Sequence, residues 1–172
     1  DSIRNEKITY SVTYMGNYKL DGIEHYGSHL AVDIKIPNGT PIYAIGNGIV
    51  AKTSEQTYGF GKHVVIEHQN FPSFENSSRK TTYYSSYSHL QSVNVTEGSI
   101  VNKGEIIGYS GETGTATTPH LHFQIDKDSA PWHPFWPFTS KEASDAGLTF
   151  TQAVNAGLNR DIALKNTINP FI

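Results

Sequence analysis

Apolar and polar residues alternate along most of this chain in short runs rich in Val, Ile, Thr and Tyr, and Gly, Asn and Pro break those runs about every eight to twelve residues. This period-of-two texture predicts strands over Ile8–Tyr14, Ala31–Ile36, Pro41–Thr53, His63–His68, Thr81–Ser88, Ile106–Ser110 and Leu121–Asp126. Turns are expected at Pro37-Asn38-Gly39, Gly46-Asn47-Gly48 and Asn102-Lys103-Gly104. Connections this short favour antiparallel neighbours. Phe71–Lys80, with Pro72, Asn76, Ser77 and Ser78, reads as a long loop between two strands.

From Thr139 the texture changes. Thr139 with Glu142, and Thr149 with Gln152, have the spacing of capping boxes and precede Ala- and Leu-rich stretches, so two or three short helices are expected. The expectation is an all-β core over residues 1–138, with a short α-helical C-terminal appendage over residues 139–172 packed on the same domain. At 172 residues the chain can bury a core without covalent staples.

Charge and composition narrow the chemistry. Thirteen Lys and Arg stand against sixteen Asp and Glu, so net charge gives no reason to expect nucleic acid as a partner. No cysteine is present, which removes disulfides, thiolate metal sites and a cysteine nucleophile; any zinc would have to use His and carboxylate. No apolar run is long enough for a membrane span, and the chain opens at Asp1 without a basic-then-apolar leader, which suggests a mature or trimmed form.

The candidate chemistry lies in the histidines. In His120-Leu121-His122 two imidazoles share one face of a strand, their Cα atoms about 6.5–7 Å apart, while Leu121 and Phe123 enter the core behind them. Taken alone, a His-x-His is as often a pair of exposed cross-strand histidines. His29 and Asp33 are four apart, and Val32, Ile34 and Ile36 alternate as a strand would. An extended chain would separate the two by roughly 13 Å, so His29 must sit on a bent approach, for which Gly27 and Ser28 give room. Isolated, that pair also has an ordinary reading, with Asp33 paired to a cation and His29 a loop residue. His89 ends an aromatic strand, Tyr83 to Ser88, in which at least one tyrosine should enter the core.

Taken in order, the motifs are far more specific than any one of them. His29-x3-Asp33, Gly39-Thr40-Pro41-Ile42-Tyr43-Ala44 with Gly48-Ile49-Val50, Ser88-His89-Leu90, Ile107 to Gly114, and Pro119-His120-Leu121-His122-Phe123 together resemble the lysostaphin/LytM-like zinc metallopeptidases over roughly residues 25–126. The resemblance implies a twisted antiparallel sheet forming an open groove with Zn2+ at its floor. It implies His29, Asp33 and His122 as metal ligands and His89 and His120 as the catalytic pair. It also implies hydrolysis of peptide cross-links in bacterial peptidoglycan by metal-activated water, in an extracellular or periplasmic setting and by a monomer. Two positions depart from the pattern, with Ala31 and Thr118 where the family usually has glycine. A left-handed backbone at Ala31 would be strained by its Cβ, whereas Thr118 tolerates the extended geometry a following proline favours.

Two rival readings remain at this stage: the same zinc chemistry directed at another protein, such as a glycine-rich one, and a noncatalytic wall-binding module that zinc merely stabilises. His25, His63, His68 and His133 are expected to be structural. The segment Pro131–Phe138 is expected to clamp the tail onto the sheet.

Overall fold

The computed structural model describes residues 10–19 and 23–171. The described strands, in chain order, are β1 (Tyr10–Val12), β2 (Val32–Ile34), β3 (Pro41–Tyr43), β4 (Gly48–Glu55), β5 (Lys62–Pro72), β6 (Lys80–Val93), β7 (Ile100–Val101), β8 (Ile106–Ser110), β9 (Leu121–Lys127) and β10 (Thr167–Ile168). Three helices, α1 (Ser140–Asp145), α2 (Phe150–Ala156) and α3 (Arg160–Asn166), precede β10. All pairings are antiparallel, in one open sheet whose main path is β1-β2-β9-β6-β5-β4-β7.

Strand β6 is the spine. Along one edge it pairs with β5 for most of its length; along the other, its first half pairs with β9 and its second half with β8, which carries β3. The alternation read from the sequence then sorts the two faces. Tyr87, Val64, Ile66, Leu121 and Phe123 point to one side and, with Val50, Leu90, Val101 and Ile107, form the main core. Asp33, Ser88, His122 and Gln124 lie on the other side by the same alternation, Ser88 paired with His122 and Ser86 with Gln124.

Several sequence-based boundaries move. The run Pro41–Thr53 is two strands, β3 and β4, because the Gly46-Asn47-Gly48 turn divides it. Strands β5 and β6 extend to Pro72 and back to Lys80, leaving only residues 73–79 as the loop. Strand β6 runs on to Val93, so His89 lies within it and not at its end. The short β7 and β10 carry too few residues to show a period. Residues 8 and 9 of the first expected strand lie outside the described residues.

The appendage begins as its spacing implied. Thr139 and Thr149 each accept from the backbone N–H three residues on, while Glu142 and Gln152 reciprocate. Phe138, Ala143, Ala153 and Val154 form its buried centre. Phe135 and Phe138 are buried, as a clamping segment requires, whereas Trp132 stays exposed.

Candidate metal centre and its flanking histidines

Strands β2 and β9 place Asp33 directly opposite His122. His29 precedes β2 in a bent segment, which removes the roughly 13 Å that full extension would impose. All three side chains are buried, and their ligand atoms lie within 4.8 Å of one another. Asp33 Oδ1 is 3.3 Å from His29 Nε2 and 3.0 Å from His122 Nδ1.

Hydrogen-bond partners fix the proton on each ring, because a carbonyl can only accept. His29 Nδ1 faces the Thr13 carbonyl at 3.4 Å, so the donor is Nδ1 and the lone pair of Nε2 points at Asp33. That Nε2 is buried and makes no hydrogen bond of acceptable geometry. His122 Nε2 faces Gln124 Oε1 at 3.2 Å. The Gln124 amide NH2 is committed to Asp126 Oδ1 at 2.5 Å and to the Phe135 carbonyl at 2.9 Å, so its oxygen can only accept from His122. The neutral His122 ring therefore presents its Nδ1 lone pair to the Asp33 carboxylate.

Three lone pairs thus converge in a buried space with no proton assigned between them. Unpaired acceptors at this spacing repel and are costly to bury, whereas a cation among them turns each contact favourable. The spacing fits as well: tetrahedral coordination with bonds of about 2.0–2.1 Å separates ligand atoms by roughly 3.3 Å. Two imidazoles and one carboxylate, without thiolate, form a donor set suited to catalytic zinc.

Electrostatics show the same demand for positive charge between these groups: where no cation sits among them, a proton on an imidazole takes its place against Asp33. Burial raises the Asp33 pKa, but the charge of His29 and hydrogen bonds from His122 and His29 outweigh it and hold the carboxyl well below the usual range. Burial lowers that of His29, but the Asp33 charge and hydrogen bonds with Asp33 and the Thr13 and Ala31 backbone together more than reverse it, so the net direction is upward. For His122 burial wins, and the ring is held neutral over a wider pH range than a free imidazole.

The other two sequence-predicted residues flank this cluster. The rings of His89 and His120 lie 4.7 Å apart between centroids, and His89 is 5.8 Å from His122. His120 Nε2 is 3.8 Å from Asp33 Oδ1. His89 Nδ1 donates to the Thr113 carbonyl and His120 Nδ1 to the Thr118 carbonyl, both at 2.8 Å, which leaves an Nε2 lone pair on each ring. Burial, helped by His122 and His120, depresses the His89 pKa to about 3.

The main chain at His89 has a φ of 63°, a left-handed conformation uncommon outside glycine, and its N–H is held by the Phe60 carbonyl at 2.9 Å. Here β6 passes a bulge against β5, which re-aims the imidazole toward the cluster. The neighbouring departures are harmless. Ala31 is not among the residues with positive φ, and Thr118 serves through its carbonyl.

Several contributors had no motif to announce them. Gln124 and Asp126 continue the His122 face at intervals of two, a signal that the strand period does contain. Tyr18 meets His29 edge-on with ring centroids 5.6 Å apart. It keeps 42 % of its surface exposed, yet burial about the phenol, with the Asp33 charge, raises its pKa. Trp136 backs both His29 and His122, with centroids at 6.4 and 6.3 Å. His63 and His68 are buried and are not part of the three-residue cluster, and His133 donates to Asp126.

Fold and site together define a β-sheet domain built around a His-Asp-His cluster of metal-binding character. The chain belongs to Peptidase family M23, whose model matches residues 27–134. Among curated relatives it is 35 % identical over 164 residues to the glycyl-glycine endopeptidase ALE-1 of Staphylococcus capitis, covering 91 % of this chain and 40 % of that protein. It is 39 % identical over 97 residues to the peptidoglycan DD-endopeptidase ShyA of Vibrio cholerae, covering 56 % of this chain and 20 % of that protein. The chain therefore spans only about a fifth to two fifths of these relatives. Among solved structures, the catalytic domain of the antimicrobial peptidase lysostaphin from Staphylococcus simulans superposes with a TM-score of 0.53 at 32 % identity, covering 75 % of this chain and 87 % of that domain.

Proposed function

We propose that this chain is a zinc-dependent endopeptidase domain that hydrolyses peptide cross-links of bacterial peptidoglycan, working in the cell envelope outside the cytoplasm. The observation that carries the proposal is the meeting of three buried lone pairs, on His29, Asp33 and His122, with two further imidazoles beside them. His29, Asp33 and His122 are assigned as ligands. When bound, zinc supplies Lewis acidity, bringing the ionisation of a water near neutral pH and polarising the scissile carbonyl.

The chain's own groups do the rest. His89, neutral at physiological pH, offers Nε2 as a proton acceptor, with its Nδ1–H anchored on Thr113. The same nitrogen, once protonated, can return the proton to the departing amine. His120 offers a second Nε2 beside that of His89, placed to share that transfer or to steady the developing oxyanion. Tyr18 retains its phenolic proton and can donate to the same charge.

The wall as substrate is supported by the relatives, since ShyA is a peptidoglycan DD-endopeptidase and ALE-1 a glycyl-glycine endopeptidase. The test is digestion of purified peptidoglycans, directly cross-linked and glycine-bridged, with mass analysis of released fragments. Cleavage abolished by a chelator and restored by zinc is expected on at least one wall type. No fragments from either, with stoichiometric zinc bound, would refute the proposal.

A further inference from the structure

The metal-site histidine nearest the N-terminus is not held by the sheet alone. His29 ends a ribbon of irregular chain in which residues 13–17 run beside residues 24–29. His29 N–H donates to the Gly16 carbonyl at 3.2 Å, Met15 N–H to the His29 carbonyl at 2.6 Å, and Gly27 N–H to the Met15 carbonyl at 2.8 Å. The approach is so close that a Cβ at Gly27 would strike the Gly16 carbonyl. Such a ribbon has no third strand to lock it, and an isolated two-stranded ribbon is marginal in water.

The helical tail supplies the missing lock at three points. Ser28 N–H donates to the Val154 carbonyl at 3.0 Å, at the end of α2. Tyr18 N–H donates to Asn155 Oδ1 at 2.8 Å. The Arg160 guanidinium, at the start of α3, donates through Nη1 to the carbonyls of both Met15, at 2.7 Å, and Gly27, one on each side of the ribbon, and lies 4.8 Å over the Tyr26 ring. A charged donor shared between two carbonyls makes bonds stronger than neutral ones, and the planar fork loses little entropy in holding them. Phe150 of α2 stacks on Trp136, which backs His29.

We infer that the C-terminal helical segment, which lies beyond the residues matched to the family, is a working part of the metal centre, with Arg160 as the positioning residue that holds the His29 ribbon in register. This rests on the assignment of His29 as a ligand. Arg160 touches no reacting atom; it acts by fixing where His29 Nε2 and the Tyr18 ring stand.

The test uses the full chain with Arg160→Met, Arg160→Lys and Leu148→Ala. Leu148 packs against the tail's own buried centre and supplies none of the hydrogen bonds that hold the ribbon, so its truncation loosens the tail without removing the lock. Zinc affinity is read by competition with a chromophoric chelator, and the melting midpoint of the metal-free form is read alongside. Arg160→Met is expected to weaken zinc binding about 10- to 100-fold, the range for lost outer-shell support. Arg160→Lys should fall between it and wild type, and Leu148→Ala should lower the midpoint while keeping wild-type affinity.

Wild-type zinc affinity in Arg160→Met would overturn the inference. So would an equal loss in Leu148→Ala at a matched midpoint shift, since the tail would then act only through bulk stability. Should Arg160→Met not fold, Arg160→Lys decides by the same comparison. Because affinity is read without turnover, a protein that binds zinc through this lock yet cleaves no wall would refute the proposed activity and leave the lock standing.

Discussion

Gln124 accepts from His122 through a contact of 3.2 Å, and this one bond decides which nitrogen His122 turns toward Asp33 in the candidate metal centre. The decision is made further along the strand. Asp126 holds the amide end of Gln124, and Asp126 is itself held by the Phe135 N–H and by His133 Nδ1, both at 2.9 Å from Oδ2. Residues 122, 124 and 126 share a face because a strand repeats every two residues, so a buried polar row runs from the metal centre to the ring of Tyr84, on which His133 stacks at 3.6 Å.

Removing that acceptor should therefore be felt at the metal. In Gln124→Leu, His122 loses the partner that keeps its proton on Nε2, and Asp126 loses a buried donor. Zinc affinity is expected to fall about 10- to 100-fold, with a stability loss of about 1–3 kcal/mol because Asp126 Oδ1 and the Phe135 carbonyl lose their shared donor. Chelator competition and urea denaturation measure the two separately. Unaltered affinity would show that Gln124 does not set the His122 tautomer.

Much of this was legible in the sequence because strand alternation and motif spacing are local. The His120-x-His122 pair, the bent approach to Asp33 and both capping boxes each depend on neighbours within about five positions. What was hidden depends on pairings between distant segments. Nothing local says that Thr113 and Phe60 hold His89, that β6 is kinked there, or that Arg160 reaches Met15. The polar row through Gln124 and Asp126 is the intermediate case: its period is in the sequence, but an alternating polar face ordinarily means solvent, and only the covering segment at Phe135 shows it to be buried.

The assigned roles separate by variant. His29→Ala, Asp33→Ala and His122→Ala should each abolish stoichiometric zinc, since two donors cannot hold it as three do. His89→Ala and His120→Ala should keep zinc and lose about 10²- to 10⁴-fold in turnover, the usual worth of a positioned acid or base. Metal analysis beside cell-wall digestion distinguishes the groups. Zinc loss in His89→Ala would move that residue from proton transfer into the ligand set.

The placement of His89, the proposed proton acceptor, should also be sensitive to a glycine next to its Thr113 anchor. Gly114 has a φ of 75°, and a Cβ there would collide with the Gly59 carbonyl and Gly61 N. These residues clasp the loop after β4 to the segment that presents the Thr113 carbonyl to His89. Gly114→Ala must open the clasp, which should cost about 1–3 kcal/mol in stability. Hydrolysis should fall while zinc content stays whole, because none of the three proposed ligands stands on either loop. Full activity in a stably folded Gly114→Ala would argue that His89 needs no such support.

His68 offers a test of pH dependence away from the metal. Its Nδ1 is 2.7 Å from the Asn47 carbonyl and its Nε2 2.7 Å from Ser85 Oγ, which in turn bonds the Tyr87 hydroxyl under β3. Burial lowers its pKa in the folded protein. The unfolded chain therefore takes up a proton first, near the ordinary histidine value of about 6.5, and stability must fall as pH drops through that value toward the folded one. Other groups titrate too: His63 and His122 shift the same way and His29 the opposite way. The comparison that isolates His68 is metal-free wild type against metal-free His68→Gln, each unfolded in urea between about pH 7.5 and about pH 5.5. Wild type should lose more stability than the variant on acidification, so that the gap between them narrows. Parallel curves would mean that His68 is protonated as easily in the folded protein as in the unfolded chain, and that burial at this position does not hold the ring neutral.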